Sequence, residues 1–246
     1  MEKYELSGFD ILEFEQAGST NTLAEELPKE ELTDKSVVLT FRQTGGRGQA
    51  GNKWESTPGK NISMTVVFKP VNLDAARQFA VSMVIALGCC DFIGRYVEGC
   101  TVKWPNDVYV GDKKMVGILI EHTISGTNIG RSLCGVGVNV NQQVFVSDAP
   151  NPVSLAQLLG HELPLHDALA ELLECIGKRY EQIYNYHLLE HDFVEALYRR
   201  YGEFEWEDET GVFRASIAGV DEYGRLVLRD SEGAERAYGF KEVKYR

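Results

Sequence analysis

Two stretches of the 246-residue chain gather residues whose types and spacing suit chemistry. The first runs Arg42-Gln43-Thr44-Gly45-Gly46-Arg47-Gly48-Gln49-Ala50-Gly51-Asn52-Lys53-Trp54. A loop so rich in glycine leaves backbone N–H groups uncovered, and these can cradle phosphate oxygens. Arg42, Arg47 and Lys53 concentrate positive charge there in an otherwise acidic chain, which favours anion binding over a plain mobile surface loop. The second stretch runs from Lys103-Trp104-Pro105-Asn106-Asp107 through Lys114 to Gly117-Ile118-Leu119-Ile120-Glu121. Lys114 stands at the entry to an apolar strand, where its ammonium can point into a site. Asp107 and Glu121 offer carboxylates to a magnesium ion or a ribose. Taken alone, this stretch reads as a tight turn and a hairpin. A third group, Gly18-Ser19-Thr20-Asn21, sets small polar side chains at a strand-to-helix junction. Such residues usually cap the helix, although their hydroxyls can equally face a ligand.

Two further patterns suggest chemistry that their surroundings do not support. Gly46-x-Gly48-x-x-Gly51 matches a dinucleotide fingerprint, which works only if a helix opens at its last glycine. Asn52 to Gly59 reads instead as a loop leading to another strand, with no helix before Asp74, so a nicotinamide enzyme is not expected. His187-Leu188-Leu189-Glu190-His191 matches the inverted zinc-protease pattern, but the segment reads as the surface end of a helix, with exposed histidines. No metal centre is expected.

The elements that must position these groups follow from periodicity. Asp10 to Glu15 alternates as a first strand, followed by a short helix through Leu27 that stops at Pro28. Ser36 to Gln43 is a β-branched strand feeding the glycine-rich loop, and Asn61 to Lys69 reads as a half-buried strand. From Asp74, Ala76, Phe79, Ala80, Met83, Val84 and Leu87 keep helical spacing, which marks a core helix. Short strands are expected at Cys100–Trp104, Val108–Val110, Met115–Glu121 and Leu133–Asn141. A second long helix runs from Leu165 to Ile183. From about Trp206 the chain changes to short strands broken at Asp208–Gly211, Asp221–Gly224 and Asp230–Gly233. That rhythm predicts a small antiparallel barrel or sandwich, with a domain boundary near residue 203.

Bulk properties exclude several classes. A formal charge of −12 and an isoelectric point near 4.9 repel phosphate backbones, so nucleic acid is not an expected partner. The five cysteines show no C-x-x-C spacing, and Cys89 and Cys90 are adjacent, which suits reduced thiols in a cytosolic protein. The N-terminus carries acids and no apolar run, and no apolar stretch is expected to span a membrane. A cytoplasmic protein is the expectation.

Taken in order, Gly18-Ser19-Thr20-Asn21, Gln43 with Gly46-Arg47-Gly48 and Trp54, Lys103-Trp104-Pro105-Asn106-Asp107, Lys114 with Gly117-Ile118-Leu119-Ile120-Glu121, and Gly135-Val136-Gly137-Val138-Asn139 resemble the biotin protein ligase family. The resemblance runs from about residue 10 to the end of the chain. K-W-P-N-D followed by K-x-x-G-I-L is its most specific part. It implies an α+β fold: a mixed β-sheet flanked by helices, of the class II synthetase-like type, over residues 1–202. A small SH3-like β-barrel would occupy residues 203–246. Some relatives carry an N-terminal winged helix, but with the first expected strand near residue 10 no such domain is expected here.

The resemblance also implies a reaction. ATP, with its Mg2+, would adenylate biotin to biotinyl-5'-AMP, and biotin would then pass to a lysine of a biotin carboxyl carrier protein or domain. Ser19, Thr20, Asn21, Gln43, Gly46, Arg47, Gly48, Gln49 and Lys114 would bind biotin. Arg47, Trp54, Lys103, Asn106, Asp107 and Asn139 would lie on the nucleotide side. Lys114 and Arg47 would be catalytic, Lys114 holding the biotin carboxylate beside the α-phosphate and Arg47 the phosphates. The alternative is a lipoate–protein ligase, but no R-R-x-S-G-G-G loop is present. A carrier-binding homologue without activity would be expected to lack Lys114 or Arg47, and both are present. The chain is expected to be a monomer or a homodimer. One departure stands out: many relatives read G-R-G-R, and the second arginine is Gln49 here.

Overall fold

Alternating apolar side chains build strands from the first residues onward. In the computed structural model, which describes residues 1–147 and 149–246 with the Ala50 side chain excepted, β1 (Glu2–Leu6) and β2 (Phe9–Glu13) form a hairpin. β1 is not evident from the sequence, because only its turn, at Ser7 and Gly8 with φ of 52° and 78°, brings it onto β2. α1 (Thr20–Glu26) follows, and β3 (Ser36–Thr40) lies parallel to β2. The glycine-rich stretch folds as a ribbon of β4 (Gly46–Arg47) and β5 (Lys53–Trp54), joined through a 3₁₀ turn at Gln49–Gly51. No α-helix opens at Gly51, in keeping with the reading against a dinucleotide fold. Next come β6 (Ile62–Phe68), α2 (Phe79–Ile93), β7 (Cys100–Lys103), β8 (Asp107–Val110), β9 (Lys113–Ser125) and β10 (Asn128–Val138). α3 (Leu155–Leu159), α4 (Leu165–Tyr180) and α5 (Tyr186–Glu195) complete this unit. The mixed eight-stranded sheet has the order β1-β2-β3-β6-β10-β9-β8-β7.

Helices cover both faces of the sheet. Phe9, Ile11, Val37, Leu39, Met64, Val66 and Phe68 point to the side of α2, α4 and α5 and share the main core with them. Leu12, Val38, Val67 and Leu133 point the other way and meet Ala24 and Leu32 in a second core beneath α1. β6 is therefore buried at every residue, polar Ser63 and Thr65 included, and not half-buried as its alternation suggests. Alternation reports one apolar face, and here α1 closes the other. Ala75–Ile93 has a mean hydropathy of 1.5 over a length that would cross a membrane, contrary to the sequence reading. It packs instead as the central helix, with 67% of its most apolar window buried in the protein. The segment holding His187 and His191 is a separate short helix, and the His187 side chain is 97% exposed.

β11 (Phe204–Asp208), β12 (Gly211–Val220), β13 (Leu226–Asp230), β14 (Glu235–Tyr238) and β15 (Lys244–Tyr245) form an antiparallel five-stranded sheet, ordered β14-β13-β12-β11-β15. Trp206 is wholly buried at its centre and donates Nε1–H to Ala215 O at 3.0 Å. Trp104 fastens this sheet to the large one, donating Nε1–H to Gly224 O at 2.8 Å.

α2 crosses α4 at Gly88, where an added Cβ would lie 2.8 Å from the Ile176 Cα. Backbone cannot yield as a flexible side chain can. Gly88→Ala is expected to destabilise the fold by about 1–3 kcal/mol through overpacking. Calorimetry should show a fall in Tm of several degrees, roughly 2–4 °C per kcal/mol for a domain of this size. An unchanged Tm would mean that the two helices separate without cost.

Candidate active site

One cleft of about 250 Å³ collects most of the residues singled out from the sequence. Ser19, Thr20, Asn21, Gln43, Arg47, Gly48, Gln49, Trp54, Lys103, Asn106, Asp107 and Lys114 line it. Gly46 and Asn139 do not. A side chain at Gly46 would strike Gln43 Nε2 and Trp54 O, so this glycine lets the ribbon close on itself. Asn139 lies behind the lining, 2% exposed, with its N–H donated to Met115 O at 3.0 Å.

The polar end of the cleft is built where α1 starts against β6. Ser19 occupies the N-cap position but makes no side-chain capping bond, so its hydroxyl does not do what the sequence suggests. Thr65 Oγ1 lies 2.9 Å from Thr20 Oγ1 and 2.6 Å from Asn21 Oδ1. A hydroxyl carries one proton and an amide oxygen only accepts, so Thr65 donates to Asn21 and receives from Thr20. Asn21 Nδ2 donates to Glu121 Oε2 at 2.8 Å and to Leu119 O at 3.2 Å, while Gln43 Oε1 accepts the Thr20 N–H at 3.0 Å. Ser19, Thr20 and Asn21 are all buried, which locks this end into one arrangement. Thr65 is a contributor that sequence reading missed, hidden in what reads as a plain strand.

The floor is glycine. On β9 and β10, Gly117, Gly135 and Gly137 face the cleft, and the Trp54 indole lies across two of them. An added Cβ at Gly117 would come within 2.7 Å of Trp54 Cζ3, and one at Gly137 would overlap the indole outright. A Cβ at Gly135 would strike Asn21 Oδ1 and lie 3.1 Å from Leu119 O. Glycine inside a strand marks a close approach of this kind, a signal present in the sequence but not used there to assign site residues. Trp54 Nε1 is buried without a hydrogen-bond partner.

Charges cluster at the other end. Lys114 Nζ pairs with Asp107 Oδ1 at 2.6 Å, both side chains about a quarter exposed, and lies 5.8 Å from the centre of the Trp54 ring. Lys114 and Gly117 are an odd number of residues apart, so a regular strand would put them on opposite faces. A bulge breaks the β8–β9 register between Val108/Val116 and Tyr109/Lys114, turning Lys114 to the cleft and leaving Met115 and Val116 both in the core. Arg47 meets Glu121 at 3.1 Å across a pair nearly half exposed on each side, so little holds it there. Lys103 packs among aromatic rings. Its Nζ lies 3.2 Å from Tyr109 Oη, and 4.8 and 5.0 Å from the ring centres of Tyr109 and Tyr245. Burial lowers the Lys103 ammonium's affinity for its proton, and the nearby Asp107 only partly offsets this. The turn between β14 and β15 adds Phe240 to the lining, a residue that no motif marks.

The model of the biotin/lipoate A/B protein ligase family matches residues 13–139, more than half of the chain. The bifunctional ligase/repressor BirA of Bacillus subtilis is 27% identical over 96% of this chain and 74% of its own length. The biotin–[acetyl-CoA-carboxylase] ligase of Paracoccus denitrificans is 28% identical, covering 83% of this chain and 88% of its own. Among solved structures, the biotin protein ligase of Aquifex aeolicus in complex with biotin and ATP superposes with a TM-score of 0.78. It is 21% identical over 96% of this chain and 98% of its own, a likeness of fold.

Gly137→Ala is expected to drive the Trp54 indole out of the cleft into water while leaving the sheet paired. Tryptophan emission should shift to the red, and the shift should vanish in a Trp54→Phe background. If emission does not move, the indole does not rest on this floor.

Proposed function

The chain belongs to the biotin/lipoate A/B protein ligase family, and we propose that this cleft is where it joins biotin to ATP and then to a carrier lysine. The observation that carries the reading is one cleft with two chemically different ends. Around Ser19, Thr20 and Asn21, all buried, and half-buried Gln43 it offers hydroxyls and amides, which suit the donors and acceptors of biotin's ureido ring. Lipoate's dithiolane has neither, so it would forgo every hydrogen bond this end can still offer a ligand, and the site would discriminate against it. Around Lys114 and Arg47 the cleft offers cations that are held only by carboxylates and can exchange them for phosphates.

The chemistry follows from that layout. An oxygen of the biotin carboxylate attacks the α-phosphorus of ATP, the bond to the bridging oxygen breaks, and pyrophosphate leaves. Lys114, turned from Asp107 to the reacting oxygens, neutralises charge as it develops; Arg47, released from Glu121, holds the phosphates. Magnesium arrives with ATP as part of the substrate, and Asp107, freed of Lys114, is the carboxylate among the described lining residues that would meet it. The unprotonated amine of the acceptor lysine then attacks the carbonyl of biotinyl-AMP. An amide bond forms, AMP leaves, and the amine's proton passes to solvent. The mixed anhydride is labile to water, which is why the Trp54 indole and the glycine-rich ribbon must cover it. The name of the Paracoccus denitrificans relative supports a carrier domain of a biotin-dependent carboxylase as the acceptor.

Lys114→Ala is expected to lower the rate of carrier biotinylation by about 10²–10³, the usual effect of removing one electrostatic stabiliser, with unchanged circular dichroism. Labelling of a carrier domain with biotin and ATP, with lipoate as control, checks both the activity and the substrate. A near wild-type rate would remove Lys114 from the mechanism.

Gln49 lines the cleft with its Oε1 buried and without a partner. Arginine there would add charge-assisted bonds to a phosphate, about twice as strong as neutral ones. Gln49→Arg is therefore expected to slow release of biotinyl-adenylate in the absence of acceptor by several-fold, with a smaller effect on its formation. Single-turnover release of labelled adenylate measures this, and equal rates would show that position 49 does not meet the phosphate.

A further inference from the structure

Directly after Trp54, outside the cleft lining, Glu55 makes contacts that none of the motifs explains. Its Oε1 accepts from Gln142 Nε2 at 2.8 Å, both of its oxygens lie 3.1 Å from the Val146 N–H, and Oε2 accepts from the Ser147 N–H at 2.8 Å. Burial opposes ionisation of this carboxyl, but the Ser147, Val146 and Gln142 donors outweigh it and hold Glu55 below the ordinary glutamate range. Gln142 is 1% exposed and extends the network inward, its Oε1 accepting from Thr57 N at 2.9 Å and Asn61 Nδ2 at 2.6 Å. Asn61, wholly buried at the start of β6, accepts in turn from Val140 N at 3.1 Å.

The connection matters because of what lies on either side. One residue before Glu55, the indole rests on Gly137 of β10; a few residues after β10 the chain reaches Val146 and Ser147. Hydrophobic burial anchors that segment only at Phe145, which is half-buried, while Val144 is 70% and Val146 85% exposed. Its other described ties are polar: Gln157 Nε2 to Gln143 O at 2.9 Å, Gln142 Nε2 to Val144 O at 2.9 Å, and Glu55 at the far end.

We propose that Glu55 is a positioning residue for the ligation reaction: by taking the Val146 and Ser147 amides it ties the 142–147 segment, outside the cleft lining, to the residue after Trp54, so that the indole is held from behind over Gly117 and Gly137 beside Lys114. The inference rests on the function proposed above. Nucleotide binding is then the step that depends on Glu55. The polar end, held separately by Thr65, Asn21 and Gln43, does not depend on it.

The test uses the full chain carrying Glu55→Ala and, as the milder change, Glu55→Gln, which keeps one accepting oxygen. Hydrogen exchange at the Val146 and Ser147 amides should quicken in both variants, more in the alanine. The KM for ATP should rise roughly tenfold in Glu55→Ala, the scale of one lost charged hydrogen bond, with the KM for biotin essentially unchanged and Glu55→Gln in between. Unchanged exchange would overturn the tether. Faster exchange with both KM values unchanged, or raised equally, would overturn the positioning role. If the wild-type chain does not ligate biotin at all, the proposed function fails. Exchange at the two amides, together with Trp54 emission, then decides the tether by itself.

Discussion

The closeness with which the Trp54 indole and the Asn21 amide approach the strands β9 and β10 governs the rest of the site. Ordinary side chains at 117, 135 and 137 would hold these groups off the sheet, and the cleft would not exist in its present form. Because the floor is largely glycine, most of the walls come from elsewhere. The start of α1, backed by β6, supplies hydroxyl and amide groups, the β4–β5 ribbon supplies Arg47, Lys53 and the indole, β8 supplies its first residue, Asp107, and Lys114 enters from the bulged start of β9. Glycine in two adjacent strands weakens a sheet. The cost is offset by burying those strands on the helical face, where Ile118, Cys134, Val136 and Val138 pack into the main core.

Charge is distributed with the same economy. The chain as a whole is strongly acidic, yet the cleft keeps each of two key cations beside a carboxylate: Lys114 with Asp107, Arg47 with Glu121. The half-exposed Arg47–Glu121 pair is weak, on the order of 0–1 kcal/mol, and the Lys114–Asp107 pair is the more enclosed of the two. In the proposed reaction a triphosphate, with its higher charge density, would displace the carboxylates. Lys103 is different: packed among Tyr109, Tyr198 and Tyr245, it connects the motif before Asp107 to the small sheet.

That small sheet is more than an appendage. Trp104 hydrogen-bonds to Gly224 across the interface, Gly224 abuts the Phe79 ring, and Phe240 reaches the cleft. The turn carrying Asn106 and Asp107 is thereby held from both sides, by β9 through the Asn106 amide on Ile118 O and by the small sheet through Trp104. A carboxylate that must meet a lysine at hydrogen-bond distance needs this support, because an unsupported turn would let the pair drift apart.

The sequence by itself determined the cast and most of the elements. Glycines among cations, a lysine entering an apolar strand and small polar residues before a helix were nameable because composition and spacing are local properties. So were α2, α4 and the turn rhythm after residue 203, since periodicity is read over a dozen residues. Only the tertiary structure decided which way the groups face. The Ser19 hydroxyl could not be distinguished from a helix cap until the helix was seen to begin without using it. Lys114 shares a face with Gly117 through a bulge set by pairing with β8, which no run of nearby residues encodes. Gly46 and Asn139 look like site residues by motif yet stand behind the lining, because the ribbon folds over one and β9 covers the other. Thr65, Glu55 and Phe240 carry no local signal; their partners lie tens of residues away, and contacts at that separation exist only once the sheet has assembled.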